Sequence, residues 1–224
     1  MLRERWDYRR PMALWGSLRV NLRDLLEDAP GALRSYPDPD SERSADERLS
    51  VELAAWASDI AASLHEKYGD QIDLRVGAMP FPNTGYRPDP RLTQLHGSPA
   101  QSIGLAVELA APLTVRTGRS TTARAQVANH STDTRVLMTN SRLQAAVTDA
   151  DGSVVGRYTG AQTMAMVMLT VEPDQRREVP VLVGTDSVVP ELGYAVPPGS
   201  WSIVVELPTA GHVVSSPLPC VITT

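Results

Sequence analysis

The sequence predicts an α+β fold, in which a small N-terminal strand–helix–strand unit is followed by an antiparallel β-sandwich. Two observations lead to this prediction. Between residues 45 and 68, apolar residues recur at the spacing of an amphipathic helix. From residue 103 onward, the chain consists of short β-runs broken by turns about every 8–12 residues, which is typical of a sandwich.

The helix of the N-terminal unit, residues 1–79, has clear start and stop signals. Ser44-Ala45-Asp46-Glu47 is a capping box, in which the Ser hydroxyl accepts a backbone N–H and the Glu side chain returns to the cap N–H. Gly69 supplies the C-terminal stop. The pattern predicts a helix over 45–68, and its apolar stripe needs a sheet face to cover: Leu49, Leu53, Trp56, Ile60 and Leu64.

Strands are predicted on both sides of this helix. Residues 14–22 alternate apolar and polar side chains, although their leucines also fit a helix. Residues 71–79 alternate in the same way and read as a strand. We therefore expect the helix to lie on a small sheet, or to pack directly on the sandwich and so form one domain with it.

Residues 80–102 have no periodicity and contain five prolines. A loop of this length is unusual inside a compact domain. Two interpretations follow. The segment is either an inter-domain linker or an ordered binding loop that presents Phe81, Tyr86 and His96.

The predicted sandwich, residues 103–224, contains seven or eight short strands with no helical pattern between them. Asp149-Ala150-Asp151-Gly152 reads as a hairpin turn between two of them. The predicted runs cover residues 103–109, 121–127, 143–148, 154–158, 164–171, 179–183, 201–207 and 221–224.

Three motifs in this region resemble, in order, the immunoglobulin-like domains of the intracellular proteinase inhibitor (BsuPI-like) type. They are a V-x-N-x-S strand end at 127–131, a D-x-x-G hairpin at 149–152 and a P-G-x-aromatic final strand at 198–201. Trp201 stands where that family usually has Tyr. The resemblance implies an immunoglobulin-like sandwich over 103–224. It also raises protease inhibition as a function, for which 149–152 and 190–199 are the candidate loops.

Composition excludes several classes of protein. With 42% hydrophobic residues, 21% charged residues and no apolar run near the ~20 residues of a membrane span, the chain predicts an ordinary globular protein. Its net charge of −5 argues against nucleic-acid binding. The start MLRERWDYRR lacks the apolar core of a signal peptide, so we expect a cytoplasmic location.

No catalytic motif is evident. The sequence contains no G-x-S-x-G, P-loop or G-x-G-x-x-G pattern. The four histidines are far apart and lack metal-ligand spacing. The single cysteine, Cys220, lies between Pro219 and Val221 in a β-run, which is typical of a buried and inert thiol. We therefore expect no enzyme activity, no metal and no cofactor.

Met164, Met166 and Met168 alternate, so a strand would place all three on one face. They either fill the core or form an adaptable contact for a partner. The prediction for function is a non-catalytic protein-binding or assembly module; the alternative is an intracellular protease inhibitor. The candidate partner contacts are Phe81, Tyr86, His96, Met164, Met166 and Met168.

Overall fold

The computed structural model describes residues 22–35, 48–162 and 166–224. β-strands are the predominant regular structure of these residues and helices are few, which is consistent with the predicted α+β class. The first part of the chain contains, in order, α1 (Leu22–Asp28), β1 (Leu33–Ser35), β2 (Leu49–Leu53), α2 (Ser58–Tyr68), β3 (Ile72–Val76) and β4 (Met79–Pro80).

The predicted helix 45–68 is wrong in its first half, because Leu49–Leu53 form strand β2 and helix α2 begins at Ser58. Leu49 and Leu53 are spaced for one helix face, but with Val51 they also fit the period of a strand. All three are buried, and β2 pairs in parallel with β3, so pairing outweighed helical spacing. The capping box 44–47 lies outside the described residues, as does the predicted strand 14–22 up to Leu22, which begins α1.

The end of the helix and the next strand follow the prediction more closely. Gly69 ends α2 with a positive φ of 51°, and its N–H donates to the His65 carbonyl. The predicted strand 71–79 is found as β3, but it breaks at Gly77, whose φ of 56° starts the turn into β4. The four strands form one sheet in the order β1–β2–β3–β4. Helix α2 packs on it through Ala61 and Leu64.

In the second part of the chain, β-strands are the main regular elements. Helix α3 (Pro90–Thr93) and four short 3-10 helices (Ala55–Ala57, Gly69–Gln71, Ala100–Ile103, Pro190–Leu192) complete the helical elements of the described ranges. The remaining strands are β5 (Ser98–Pro99), β6 (Leu105–Leu109), β7 (Leu113–Arg116), β8 (Ser120–Asn129), β9 (Arg135–Thr139), β10 (Leu143–Thr148), β11 (Val154–Arg157), β12 (Val167–Val171), β13 (Arg176–Gly184), β14 (Asp186–Ser187), β15 (Gly199–Leu207), β16 (Val213–Val214) and β17 (Leu218–Thr223).

Eleven of these strands form one sheet, whose long members lie in the order β7–β17–β15–β10–β13–β8–β6. The sheet curls, because β7 comes close to β8 and side chains from both ends of it share one core. The prediction of purely antiparallel pairing is wrong for three pairs: β10 with β13, β17 with β7, and β16 with β5 are parallel. The long connections between these strands give the chain room to cross over.

A separate two-stranded sheet, β9 with β12, lies against this core. Leu137 of β9 and Val171 of β12 are both 0% exposed and belong to the same cluster as the strands of the large sheet. Their alternate neighbours therefore face away from the core.

Residues 80–102 contact the large sheet along much of their length. Tyr86, Leu92 and Leu95 pack on a small buried cluster that includes Ala146 and Val154. The Arg157 guanidinium also donates to the backbone carbonyls of Leu92 (2.8 Å) and Gln94 (2.9 Å).

The two parts of the chain meet at a buried ion pair and a tight backbone contact. Arg34 of β1 donates through both terminal nitrogens to Asp186 of β14, whose side chain is 1% exposed. Close by, the Arg119 guanidinium lies 4.1 Å from the ring centre of Trp56. A Cβ at Gly118 would lie 2.7 Å from the backbone nitrogen of Trp56, so only glycine allows this close approach of the two segments.

We expect Asp186→Asn to lower the free energy of unfolding by about 3 kcal/mol, because it removes the carboxylate that both terminal nitrogens of Arg34 bind at a buried site. The control is Asp89→Asn, which removes an exposed pair with Arg91 and should cost less than about 1 kcal/mol. Urea denaturation followed by tryptophan fluorescence measures both. Equal costs would contradict a structural role for the buried pair.

Gly118→Ala and Gly31→Ala test the tight contact. The two glycines have nearly the same φ, 66° and 67°, but a Cβ at Gly31 has no atom within 4 Å. Placing alanine at a positive φ costs about 1–2 kcal/mol of stability in both variants. Gly118→Ala should lower the free energy of unfolding by about 1–3 kcal/mol more, because its Cβ overlaps with Trp56. Thermal unfolding of the two variants gives the difference, and indistinguishable melting temperatures would contradict the close approach.

Candidate functional site

Two of the predicted contact residues, Phe81 and Tyr86, are partly buried. The Phe81 ring stacks on Tyr194 at 5.7 Å between ring centres and meets His65 edge-on at 5.6 Å. The Tyr86 hydroxyl donates to the Ala78 carbonyl at 3.4 Å. Both side chains therefore contribute to packing between chain segments.

The methionines behave differently. Met166 and Met168 are 75% and 72% exposed, so they do not fill the core, whereas Met79 is fully buried. Met164 lies outside the described residues. The core-filling interpretation is therefore wrong for Met166 and Met168, and the partner-contact interpretation stays a prediction.

These two methionines belong to a larger apolar surface on the outer side of the β9–β12 sheet. Met168 pairs with Met138 across the two strands, and Val136 pairs with Thr170. Of the seven large hydrophobic side chains that are exposed in the described ranges, five lie on this small sheet or directly beside it: Val136, Met138, Met166, Val167 and Met168. Val167 alternates with Met168 along β12 and so points to the side of Val171. We call the other four residues, Val136, Met138, Met166 and Met168, the outer apolar face.

A cleft of about 680 Å³ adjoins the outer apolar face. Met138 and Met166 belong to both surfaces, so the apolar face continues into one wall of the cleft. His96, from the segment 80–102, also lines this cleft. Further residues around the cleft are Arg91, Thr139, Asn140, Arg142, Leu143, Gln144, Arg157, Gln162, Glu206, Leu207, Pro208, His212 and Val213.

Hydrogen bonds hold several of the polar groups around the cleft in place. Arg157 donates to Glu206 at 2.8 Å while it also holds the backbone of residues 92–94. The Gln162 side-chain oxygen accepts from the amides of both Asn140, at 3.0 Å, and Gln144. These bonds connect the walls of the cleft to strands β10, β11 and β15.

The backbone at the cleft adopts unusual conformations. Ser141 and His212, two of the three non-glycine residues with positive φ in the described part of the chain, have φ of 77° and 44°. The Ser141 N–H donates to the Thr139 hydroxyl at 3.0 Å, which stabilises the turn into Arg142. Such conformations cost about 1–3 kcal/mol and concentrate at functional sites. They mark the cleft as the candidate site.

Basic groups outnumber carboxylates around the cleft. Arg157 is paired with Glu206, and Arg91 is paired with Asp89 at 2.7 Å. Arg142 has no ion-pair partner among the residues that the structure describes.

Sequence reasoning identified His96 and Met166 separately but missed Met138 and Arg142. Strand β9 is only five residues long, and its Val136 and Met138 are exposed, so no run of buried side chains signals it. Its alternation of Val136, Met138 and the buried Leu137 is the one signal that was present.

Both candidate loops for protease inhibition, 149–152 and 190–199, make contacts within the protein. Asp149 accepts from the N–H groups of Asp151 (3.0 Å) and Ser153 (2.8 Å), which stabilises the exposed hairpin turn. In the 190–199 loop, Tyr194 stacks on Phe81, and its hydroxyl accepts from the Asn83 N–H at 3.1 Å.

Three further features concern metal ligands, membrane-spanning helices and the single cysteine. In the described ranges, no group of three His, Cys, Asp or Glu side chains is placed to share a metal ion. None of the helices found there is long and apolar enough to cross a membrane. Cys220 is 2% exposed, and burial raises the pKa of its thiol to about 11.

We expect the Cys220 thiol to be unreactive in the folded protein. With a pKa of about 11, only about 0.1% of it is thiolate at pH 8, and burial blocks access to the reagent. Because the chain has a single cysteine, Ellman's reagent reports on this residue alone. The guanidinium-unfolded protein is the control and should react fully. A native rate within tenfold of the unfolded rate, on the order of free-thiol reactivity, would contradict this expectation.

Comparison with known proteins assigns no family. No family model and no curated protein matches the chain. A β-glucosidase from Listeria innocua is similar at 13% identity and a TM-score of 0.31, over 54% of this chain and 16% of that one. The sporulation control protein Spo0M from Bacillus subtilis is similar at 11% identity and a TM-score of 0.31, over 54% of this chain and 49% of that one. This chain therefore spans less than half of either protein, and similarities this weak indicate neither fold nor function.

Proposed function

We propose that the protein is a non-catalytic protein-binding module and that its contact surface is the outer apolar face together with the adjoining cleft. The observation that carries the proposal is the concentration of four of the seven large hydrophobic side chains that are exposed in the described ranges at the outer side of one small sheet. Scattered exposed hydrophobic residues are ordinary, whereas a contiguous apolar surface marks an interaction site.

The chemistry of this face favours a polypeptide partner. Methionine is flexible and polarisable, so Met138, Met166 and Met168 can adapt to a range of apolar side chains. The sheet beneath them is fixed, because Leu137 and Val171 are buried in the main core. A rigid base with adaptable side chains loses little backbone entropy when a partner binds.

We also propose that the curled sheet with its covering β9–β12 pair is an immunoglobulin-like sandwich, a fold that commonly serves binding. Support comes from the shared core, in which side chains of β8, β13, β15 and β17 meet those of β9 and β12. The alternative function, intracellular protease inhibition, has less support. It requires a protruding rigid loop, and Tyr194 in the 190–199 loop is instead stacked on Phe81.

The proposal predicts that Met138→Ser combined with Met168→Ser abolishes partner capture and leaves stability within about 0.5 kcal/mol, because both side chains are exposed. The tagged protein is crosslinked in its own cells, and a partner identified by mass spectrometry is purified and rebound. The double variant should weaken rebinding at least about tenfold.

Val221→Ser is the matched control, because Val221 is also exposed, at 47%, but lies on β17 away from the outer apolar face. It should bind the partner like the unmodified protein. Rebinding unaffected by the double methionine variant, or crosslinks only to other surfaces, would contradict the proposal. Sedimentation at several concentrations identifies a second copy of the chain if that is the partner.

A further inference from the structure

We infer that the segment bound at this surface carries carboxylate groups beside its apolar side chains, and that Arg142 receives a carboxylate. This inference rests on the proposed function, because it names the partner chemistry of the same surface. The occupant is a polypeptide segment that is both acidic and apolar.

Charge is the first argument. Among the described residues around the cleft, Glu206 is the only carboxylate, and its charge is matched by Arg157 at 2.8 Å. Arg142 is partly exposed in the same cleft, with His96 and His212 also lining it. The cleft therefore presents a guanidinium that no described carboxylate neutralises, and a carboxylate is its geometrically matched ligand.

The net charge of the whole protein supports the same conclusion. The chain has a net charge of −5, so an acidic segment is disfavoured over most of the surface. A local basic site on an acidic protein attracts such a segment to one place within a Debye length of about 8–10 Å. Opposite local charge thus fixes where the segment binds and in which orientation.

Continuity with the apolar surface is the second argument. Met138 and Met166 line the cleft, and Met138 lies directly across from Met168 on the outer apolar face. A segment with its carboxylate at Arg142 thus has methionine side chains available for its neighbouring residues. The turn that carries Arg142 is held by Ser141 at a positive φ of 77°, which fixes the backbone from which the Arg142 side chain extends before binding.

A nucleic acid fits this surface poorly. Binding to a phosphate backbone draws its affinity from several unneutralised basic residues, whereas Arg157 and Arg91 are already paired. The exposed methionines offer no stacking platform for bases. The polypeptide is therefore the occupant that uses both the charge and the apolar face.

A random dodecapeptide library displayed on phage, panned against the full chain at about 50 mM salt, tests the inference. We expect the retained peptides to combine net negative charge with large apolar residues. For the tightest of them, Arg142→Glu should weaken binding about tenfold, and so should replacing its acidic residues by their amides. Binding should also weaken several-fold at about 300 mM salt, because the charges are partly exposed.

The matched control is Arg177→Glu, which introduces the same charge change at an exposed arginine on β13, outside the cleft. It should change binding less than about twofold. Retained peptides that are neutral or basic, or an Arg142→Glu variant that binds the acidic peptides as before, would overturn the inference while leaving the proposed function in place.

Different results would contradict the proposed function itself. In that case no peptide is enriched above the bare support, or the Met138→Ser, Met168→Ser double variant retains the same peptides as the unmodified chain. Either result removes the outer apolar face as a binding surface, and the inference about Arg142 falls with it.

Discussion

The arrangement of the two parts of the chain depends on a carboxylate that has almost no access to water. Asp186 is 1% exposed, and such a charge is tolerable only when it is fully hydrogen-bonded. It accepts from Arg34 and from both the N–H and the hydroxyl of Thr159, at 3.1 and 2.7 Å. Since Arg34 lies on β1 and Thr159 follows β11, this one side chain joins the small sheet to the large one.

The sequence predicts those strands whose neighbours in the chain define them. Residues 143–148 form β10 at the predicted bounds, since a buried apolar run ends at a turn closed by Asp149. Leu49–Leu53 form a strand in the predicted helix because the same leucines satisfy both periods, and only the parallel pairing with β3 decides between them. That pairing joins residues separated by a whole helix, which local patterns do not encode.

The candidate site illustrates the same limit. His96 and Met166 were each singled out from local features, but their common cleft arises from long-range pairing of strands around the core. Arg142 had no distinguishing signal, because an arginine after a turn is ordinary until its neighbours in space are known. Its importance comes from what surrounds it: Arg157 and Arg91 are paired nearby, and Arg142 is not.

The exposed thioethers of Met166 and Met168 also give the outer apolar face a chemical vulnerability. Oxidants convert such side chains to sulfoxides, which are polar and chiral, whereas the buried Met79 is shielded. Each oxidation event inserts a strong hydrogen-bond acceptor into a surface that is otherwise apolar and weakly hydrated. The hydration of this face therefore depends on whether its methionines have been oxidised. Methionine sulfoxide reductases restore the apolar thioethers without any change in the fold.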